Sequence, residues 1–213
     1  MRYGNKPAVI INTQAHCNEM LFYQDMPIKF PGKFALAIED RLQCFHHIIG
    51  IACNDFMNTF SMVDFKYSYV YVSAKRLYQS KGKPFNRPGW HSDGFMSDDI
   101  NYIWSDDGST VFNCSDFKLS RDDKLSMHEM AAQALPENDF TYPANTLLRL
   151  DQYNIHRVGD VQHDGVRTFV KVTFSENKFD LQGNAHNYLL DYNWEMRPRG
   201  IDRNIPQKTE RTK

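Results

Sequence analysis

The chain has 213 residues, 41% of them hydrophobic and 14% aromatic, which is enough for one buried core and too apolar for global disorder. Lysine and arginine number 25 against 26 acids, a net charge of −1 that excludes electrostatic binding of nucleic acid by the molecule as a whole. Mean hydropathy is −0.59 and no apolar run approaches the ~20 residues needed to span a bilayer, so no membrane partner is expected. The opening "MRYGNKPAVIINTQAHCNEM" lacks the apolar centre of a signal peptide, and the expected location is cytoplasmic. Cys17, Cys44, Cys53 and Cys114 make no CxxC pair, which excludes a zinc ribbon and leaves free thiols as the expectation.

Taken in chain order, residues 33–60 carry the strongest helical pattern. Leu36, Leu42, Phe45, Ile48, Ile49 and Ala52 recur at three- and four-residue spacings, with Gly50 as a weak point that could split the segment into two helices. Residues 66–73, "KYSYVYVS", are β-branched and aromatic and predict a strand. Residues 99–106 predict another, with Ile100, Tyr102 and Trp104 alternating against Asn101 and Ile103, and residues 109–117 a short third. A helix is predicted over 126–135, with Ser126 and Glu129 as a capping-box pair and Pro136 as its stop. Two strands follow, over 145–158 with a turn near residues 151–154, and over 167–175. The chain reads as one domain, 1–213. An N-terminal helical support (1–64) precedes a mainly β core (65–175), an antiparallel sandwich or barrel with flanking helices. An extension (176–213) ends in a basic tail. Residues 197–213 carry six basic residues against two acids, a +4 segment on a −5 body that reads as a solvated end or a polyanion contact.

The candidate chemistry lies in "PGWHSDGFMSDD", residues 88–99. On an extended segment His91 and Asp93 would face one side. His156 lies near the end of a later strand, with 62 residues between it and Asp93. Two imidazoles and one carboxylate form the 2-His-1-carboxylate set of non-haem iron(II) sites, a three-donor set that leaves positions open for small ligands. Arg167, eleven residues after His156, opens the last strand, and its guanidinium is suited to bidentate capture of a carboxylate.

His91-x-Asp93, then His156, then Arg167, together with "PANTLLRLDQYNIHRVGDVQHDGVRTFVKVTFS", resembles the Fe(II)/2-oxoglutarate-dependent dioxygenases over residues 65–175. The resemblance implies a double-stranded β-helix core of jelly-roll or cupin-like type. His91, Asp93 and His156 would ligate Fe(II), and Arg167 would bind the far carboxylate of 2-oxoglutarate. The implied outcome is O2-dependent hydroxylation with release of succinate and CO2. Asn101, Tyr102 and Tyr71 are candidates for a second contact to the co-substrate.

Other readings are weaker. His163 stands only four residues before Arg167, in a loop, and is expected near the site mouth or exposed. His128-Glu129 fails as HExxH because Ala132 occupies the second histidine's place. Arg157 and Lys171 are expected at the surface or a strand edge, Trp90 and Phe95 as packing, and Asp98-Asp99 as a solvated turn or acidic rim. A non-catalytic β-helix binding module and a cupin-like metalloenzyme with another reaction are the alternatives. The expected substrate is a small molecule, a peptide or an amino-acid side chain. Nucleic acid is an alternative partner that is not favoured: the strand after Arg167 lacks the Arg-x-Asn-x-Thr-x-Arg pattern of AlkB-type demethylases, with Val170 and Lys171 in its place.

Overall fold

The computed structural model describes residues 2–84, 89–107 and 110–199. Residues 200–213, most of the basic tail, therefore lie outside the described residues. The chain is built mainly from antiparallel strands: β1 (Ala8–Asn12), β2 (Leu21–Lys29), β3 (Tyr69–Gln79), β4 (Ile100–Ser105), β5 (Thr110–Asn113), β6 (Asp139–Phe140), β7 (Thr146–Leu150), β8 (His156–Val158) and β9 (Gly165–Ser175). The helices are α1 (His46–Thr59), α2 (Met62–Tyr67) and α3 (Asp123–Gln133). None of the described helices is long and apolar enough to cross a membrane.

The larger sheet has the order β1-β7-β4-β9-β3-β2 and the smaller one β6-β5-β8, extended by an antiparallel bridge between His91 and His156. Alternation along β9 explains the layering, because successive side chains of a strand point to opposite faces. Val170, Val172 and Phe174 join Val70, Val72 and Ala74 of β3 and Tyr102 and Trp104 of β4 beneath α1, where Ile48, Ile49, Ala52 and Phe56 cover them. Phe169, Lys171 and Thr173, on the other face, line a cavity that faces the smaller sheet. A second apolar cluster, Ile103, Phe112, Leu148 and Leu150, packs at one side of that space.

The N-terminal region departs from its expected helical content. β1 and β2 occupy the two edges of the large sheet. Pro27 within β2 is tolerated at an edge, where a missing N–H breaks no ladder. Residues 33–39 are not helical: Ala37 donates to the Ile28 carbonyl (2.8 Å), and Leu36 and Ile38 reach the core from irregular backbone. A 3-10 turn, Asp40–Phe45, then leads into α1, which runs through Gly50 unbroken. The split comes later, at Ser61, whose hydroxyl accepts the Asp64 amide to cap α2. α3 also begins earlier than the capping box suggests. Asp122 caps it by accepting the Lys124 and Leu125 amides, while the Glu129 carboxylate accepts from the Ser120 amide and hydroxyl. The turn between β7 and β8 falls where expected, closed by Asn154 Oδ1 accepting the Asp151 amide.

Candidate metal centre and its cavity

His91 and His156 are neighbours because their backbones pair. Each amide donates to the other's carbonyl at 2.9 Å, and the two rings stand 4.4 Å apart between centroids. The segment is strand-like only at His91. Asp93 does not continue an extended run but opens a turn, and Gly94 takes a left-handed φ of +72°. A side chain at Gly94 would also press its Cβ to 2.8 Å from Ser97 Oγ, so glycine is required there. Ser92 Oγ ties this loop to the Gln152 carbonyl at 2.5 Å. The turn still delivers the carboxylate: one donor atom from each of His91, Asp93 and His156 lies within 4.8 Å of the others.

The ring nitrogens are set by what they touch. His91 Nδ1 lies 2.7 Å from the Gly89 carbonyl and His156 Nδ1 lies 2.9 Å from the Asn154 carbonyl. A carbonyl only accepts, so each Nδ1 carries a proton, which leaves Nε2 as the nitrogen with which each ring can ligate a metal. Burial opposes ionisation of Asp93, but Lys171 and the two imidazoles outweigh it and hold the carboxyl well below the usual range. Two imidazoles anchored through Nδ1 and a carboxylate held ionised are a donor set that fits a divalent transition-metal ion once the rings ligate through Nε2.

The triad opens into a cavity of about 350 Å³ floored by the large sheet. Directly across is Lys171, with Nζ 3.6 Å from Asp93 Oδ2. Burial alone would lower its pKa, yet Asp93, Asp25 and Asp99 together raise it, so the ammonium stays charged. Strand register orders the floor. Lys171 lies opposite Ser73 and Ile103; towards one end come Phe169, Lys75 and Ser105, and towards the other Thr173, Asn101 and Tyr71. The second end is walled by a segment after β9 that contributes Phe179, Leu181, Asn184 and Arg199. Although irregular, this segment is pinned. The Tyr71 hydroxyl donates to the Asn177 carbonyl and accepts the Phe179 amide, the Phe179 ring stacks on Tyr71, and fully buried Asn187 donates to the Pro27 and Ala37 carbonyls. Arg197 pairs with Asp180 at 2.6 Å.

The expected co-substrate residues fare unequally. Asn101 lines the cavity, its Oδ1 accepting from Thr173 Oγ1 at 2.7 Å. Tyr102 does not: it points to the opposite face, buried under α1, where its hydroxyl donates to Asp55 Oδ2 at 2.7 Å and Arg149 joins the same carboxylate. Arg167 shares the face of Lys171 but does not line the cavity. It is 2% exposed beyond Phe169, its Nε donating to Ser105 Oγ and the Asp107 carbonyl and its guanidinium 5.6 Å from the Phe169 ring. His163 is exposed, 3.0 Å from Asp107, and His128 is exposed on α3. Trp90 and Phe95 pack around Phe117, Met130 and Ile155, as expected.

Three expectations need correction. Lys171 is neither at the surface nor at an edge: β9 lies between β4 and β3, and the ammonium sits beside Asp93. Asp99 is not in a solvated turn but 9% exposed on the cavity wall. Arg199, near the start of the segment expected as a solvated end, lines the cavity, and residues 200–213 lie outside the described residues. Parity alone could have found Lys171, four residues from Arg167 on the same strand face. Asp25, a further wall residue, gave no signal in its local sequence.

No protein-family model matches the chain, and no curated protein matches it. Among solved structures it is similar to an oxidoreductase of the 2OG-Fe(II) oxygenase family from Burkholderia pseudomallei, over 79% of this chain and 75% of that one, with a TM-score of 0.40 and 14% identity. At that distance the likeness carries no weight, and the functional reading rests on the positions of the side chains.

Proposed function

We propose that the protein is an Fe(II)/2-oxoglutarate-dependent oxygenase with a double-stranded β-helix core over residues 65–175, acting on a small molecule. The observation that carries this reading is the convergence of His91, Asp93 and His156, with both Nδ1 protons fixed on carbonyls, at the wall of a closed-floored cavity. Strand order supports the core. From β3 onward the chain passes between the two sheets, giving β3, β9, β4 and β7 on one side and His91, β8, β5 and β6 on the other. A cavity of about 350 Å³ is suited to a small substrate.

In this reading His91, Asp93 and His156 hold the iron, and the Gly89 and Asn154 carbonyls keep each imidazole in the ligating tautomer. Lys171 keeps Asp93 ionised and orients its second oxygen. Iron with 2-oxoglutarate would supply reductive activation of O2, one oxygen atom leaving in succinate and the other entering the substrate, with CO2 released. Arg167 would take the far carboxylate, with the Phe169 side chain, which stands between it and the cavity, turning aside to admit it. Arg167 lies four residues, roughly 13 Å, along β9 from Lys171, a span that an arginine side chain and the diacid cover between them. Ile103, Val158, Phe169, Met127 and Met130 give the cavity apolar wall that limits water. The test is turnover: the purified protein with Fe(II), ascorbate and O2 should convert 2-oxoglutarate to succinate. Absence of succinate with iron bound would refute the assignment.

A further inference from the structure

The cavity end away from Arg167 holds two carboxylates that the iron chemistry does not use. Asp99 is 9% exposed, lies on the cavity-facing side of the segment leading into β4, and accepts no hydrogen bond and forms no ion pair among the described residues. Its oxygens are not sealed from solvent but open into the cavity, where they can meet an incoming donor. Asp25 is presented differently. β2 bulges between Tyr23 and Met26, and Asp25 sits in the bulge at φ +42°, a left-handed conformation that a non-glycine residue adopts at a cost. Its carboxylate is held by neutral donors only, Ser73 Oγ at 2.9 Å and Gln24 Nε2 at 2.7 Å. Both acids lie in the field of Lys171, but that ammonium makes its contact with Asp93.

We propose that Asp99, assisted by Asp25, is the recognition site for a cationic group of the substrate, a protonated amine that enters the cavity beside the triad. This rests on the reading of the cavity as an oxygenase site and adds the substrate's charge to it. At this end Asp99 and Asp25 face two cations: Lys171, which is engaged with Asp93, and Arg199, which donates to the Gln182 carbonyl and Asn184 Oδ1. Lys75 lies towards the other end, and Asp99 is the carboxylate left to meet a cation. Phe179, one face of its ring covered by Tyr71, adds an aromatic wall that a cation tolerates well. The same reading explains the bulge, which turns an acidic side chain into the cavity from an edge strand.

The test uses three probes of similar size: butylammonium, 1-butanol and butyrate. Each is titrated by ligand-observed NMR into the full chain, metal-free and again with Zn(II) and 2-oxoglutarate. Butylammonium should bind at least about tenfold more tightly than the other two. Asp99→Asn should abolish that preference and Asp25→Asn should reduce it. Because Asp99 accepts no side-chain hydrogen bond and Lys171 keeps its contact with Asp93, Asp99→Asn should melt close to the wild type. Equal binding of the three probes, a preference that survives Asp99→Asn, or a marked drop in that variant's melting temperature would overturn the proposal. Absence of 2-oxoglutarate turnover would sink the oxygenase reading but leave the charge preference standing. Turnover without the preference would sink only the present inference.

Discussion

Replacing Arg167 with alanine separates its part in the fold from the co-substrate role proposed for it. The guanidinium is buried, donates through Nε to Ser105 Oγ and the Asp107 carbonyl, and packs on Phe169. Its removal strands neither acceptor. Ser105 Oγ lies 2.8 Å from both the Asp107 and Thr168 carbonyls and still gives its one proton to either. The stability loss should therefore come from packing and one charge-assisted bond, about 1–3 kcal/mol, and the protein should fold. The effect on 2-oxoglutarate is a different quantity. A bidentate partner lost from a desolvated carboxylate costs ~2–5 kcal/mol, or at least about tenfold in the co-substrate requirement at ~1.4 kcal/mol per decade. Arg167→Lys should recover part of this, since it keeps the charge and loses the fork. The assay is succinate formation against 2-oxoglutarate concentration for both variants, with iron affinity measured alongside. An unchanged half-saturating concentration in Arg167→Ala would refute the assignment. If Lys171→Met then raised it instead, the cation beside Asp93 would be the partner.

Lys29 tests the electrostatics of the core. It is 0% exposed, its ammonium donates to the Ser68 carbonyl at 2.6 Å and to the Phe30 and Lys66 carbonyls at 3.3 Å, and burial lowers its pKa from 10.5 to about 8. Between those values the unfolded chain holds the extra proton, so stability should rise by about 3 kcal/mol from about pH 8 to about pH 10.5 and fall as pH drops back through the window. Urea unfolding should show a slope that Lys29→Met lacks; parallel curves would contradict the shift. Tyr71→Phe removes the hydroxyl that holds Asn177 and Phe179, and should cost about 1–2 kcal/mol. Hydrogen exchange at the Phe179 amide should accelerate in that variant, and unchanged protection there would show that the segment is held by other contacts. Gly4→Ala would put a methyl 2.3 Å from the Ser115 carbonyl at a φ of +87°, with an expected loss of about 2 kcal/mol or more; a neutral thermal melt would refute that.

The sequence carried its own answer on several points. β-Branched and aromatic runs located β3, β4 and β9, and the order of His91, Asp93 and His156 anticipated their convergence. Parity also held more than was taken from it. Tyr102 alternates with Ile100 and Trp104, the apolar face of β4, so a place beneath α1 was already implied by the pattern that found the strand. Lys171 shares parity with Arg167 and had to face the cavity too. What the sequence could not carry was long-range. Asp25 reaches the cavity through a bulge set by pairing with β3 and by the Ala185 amide bonding to the Gln24 carbonyl. The wall of Phe179, Leu181, Asn184 and Arg199 depends on side-chain bonds between residues up to about 160 apart, as in Asn187 to Pro27. β1 and β2 were missed because a short run and a proline-bearing bulged strand give weak period-two signals.

The central claim is that His91, Asp93 and His156 form one iron site, and anaerobic Fe(II) titration followed by calorimetry tests it most directly. The wild type should bind one Fe(II) per chain, and His91→Ala and His156→Ala should each abolish that binding while retaining the far-ultraviolet dichroism of the folded protein, because an open site is carried by a scaffold built from other residues. Stoichiometric iron binding that persists in both folded variants would contradict the account.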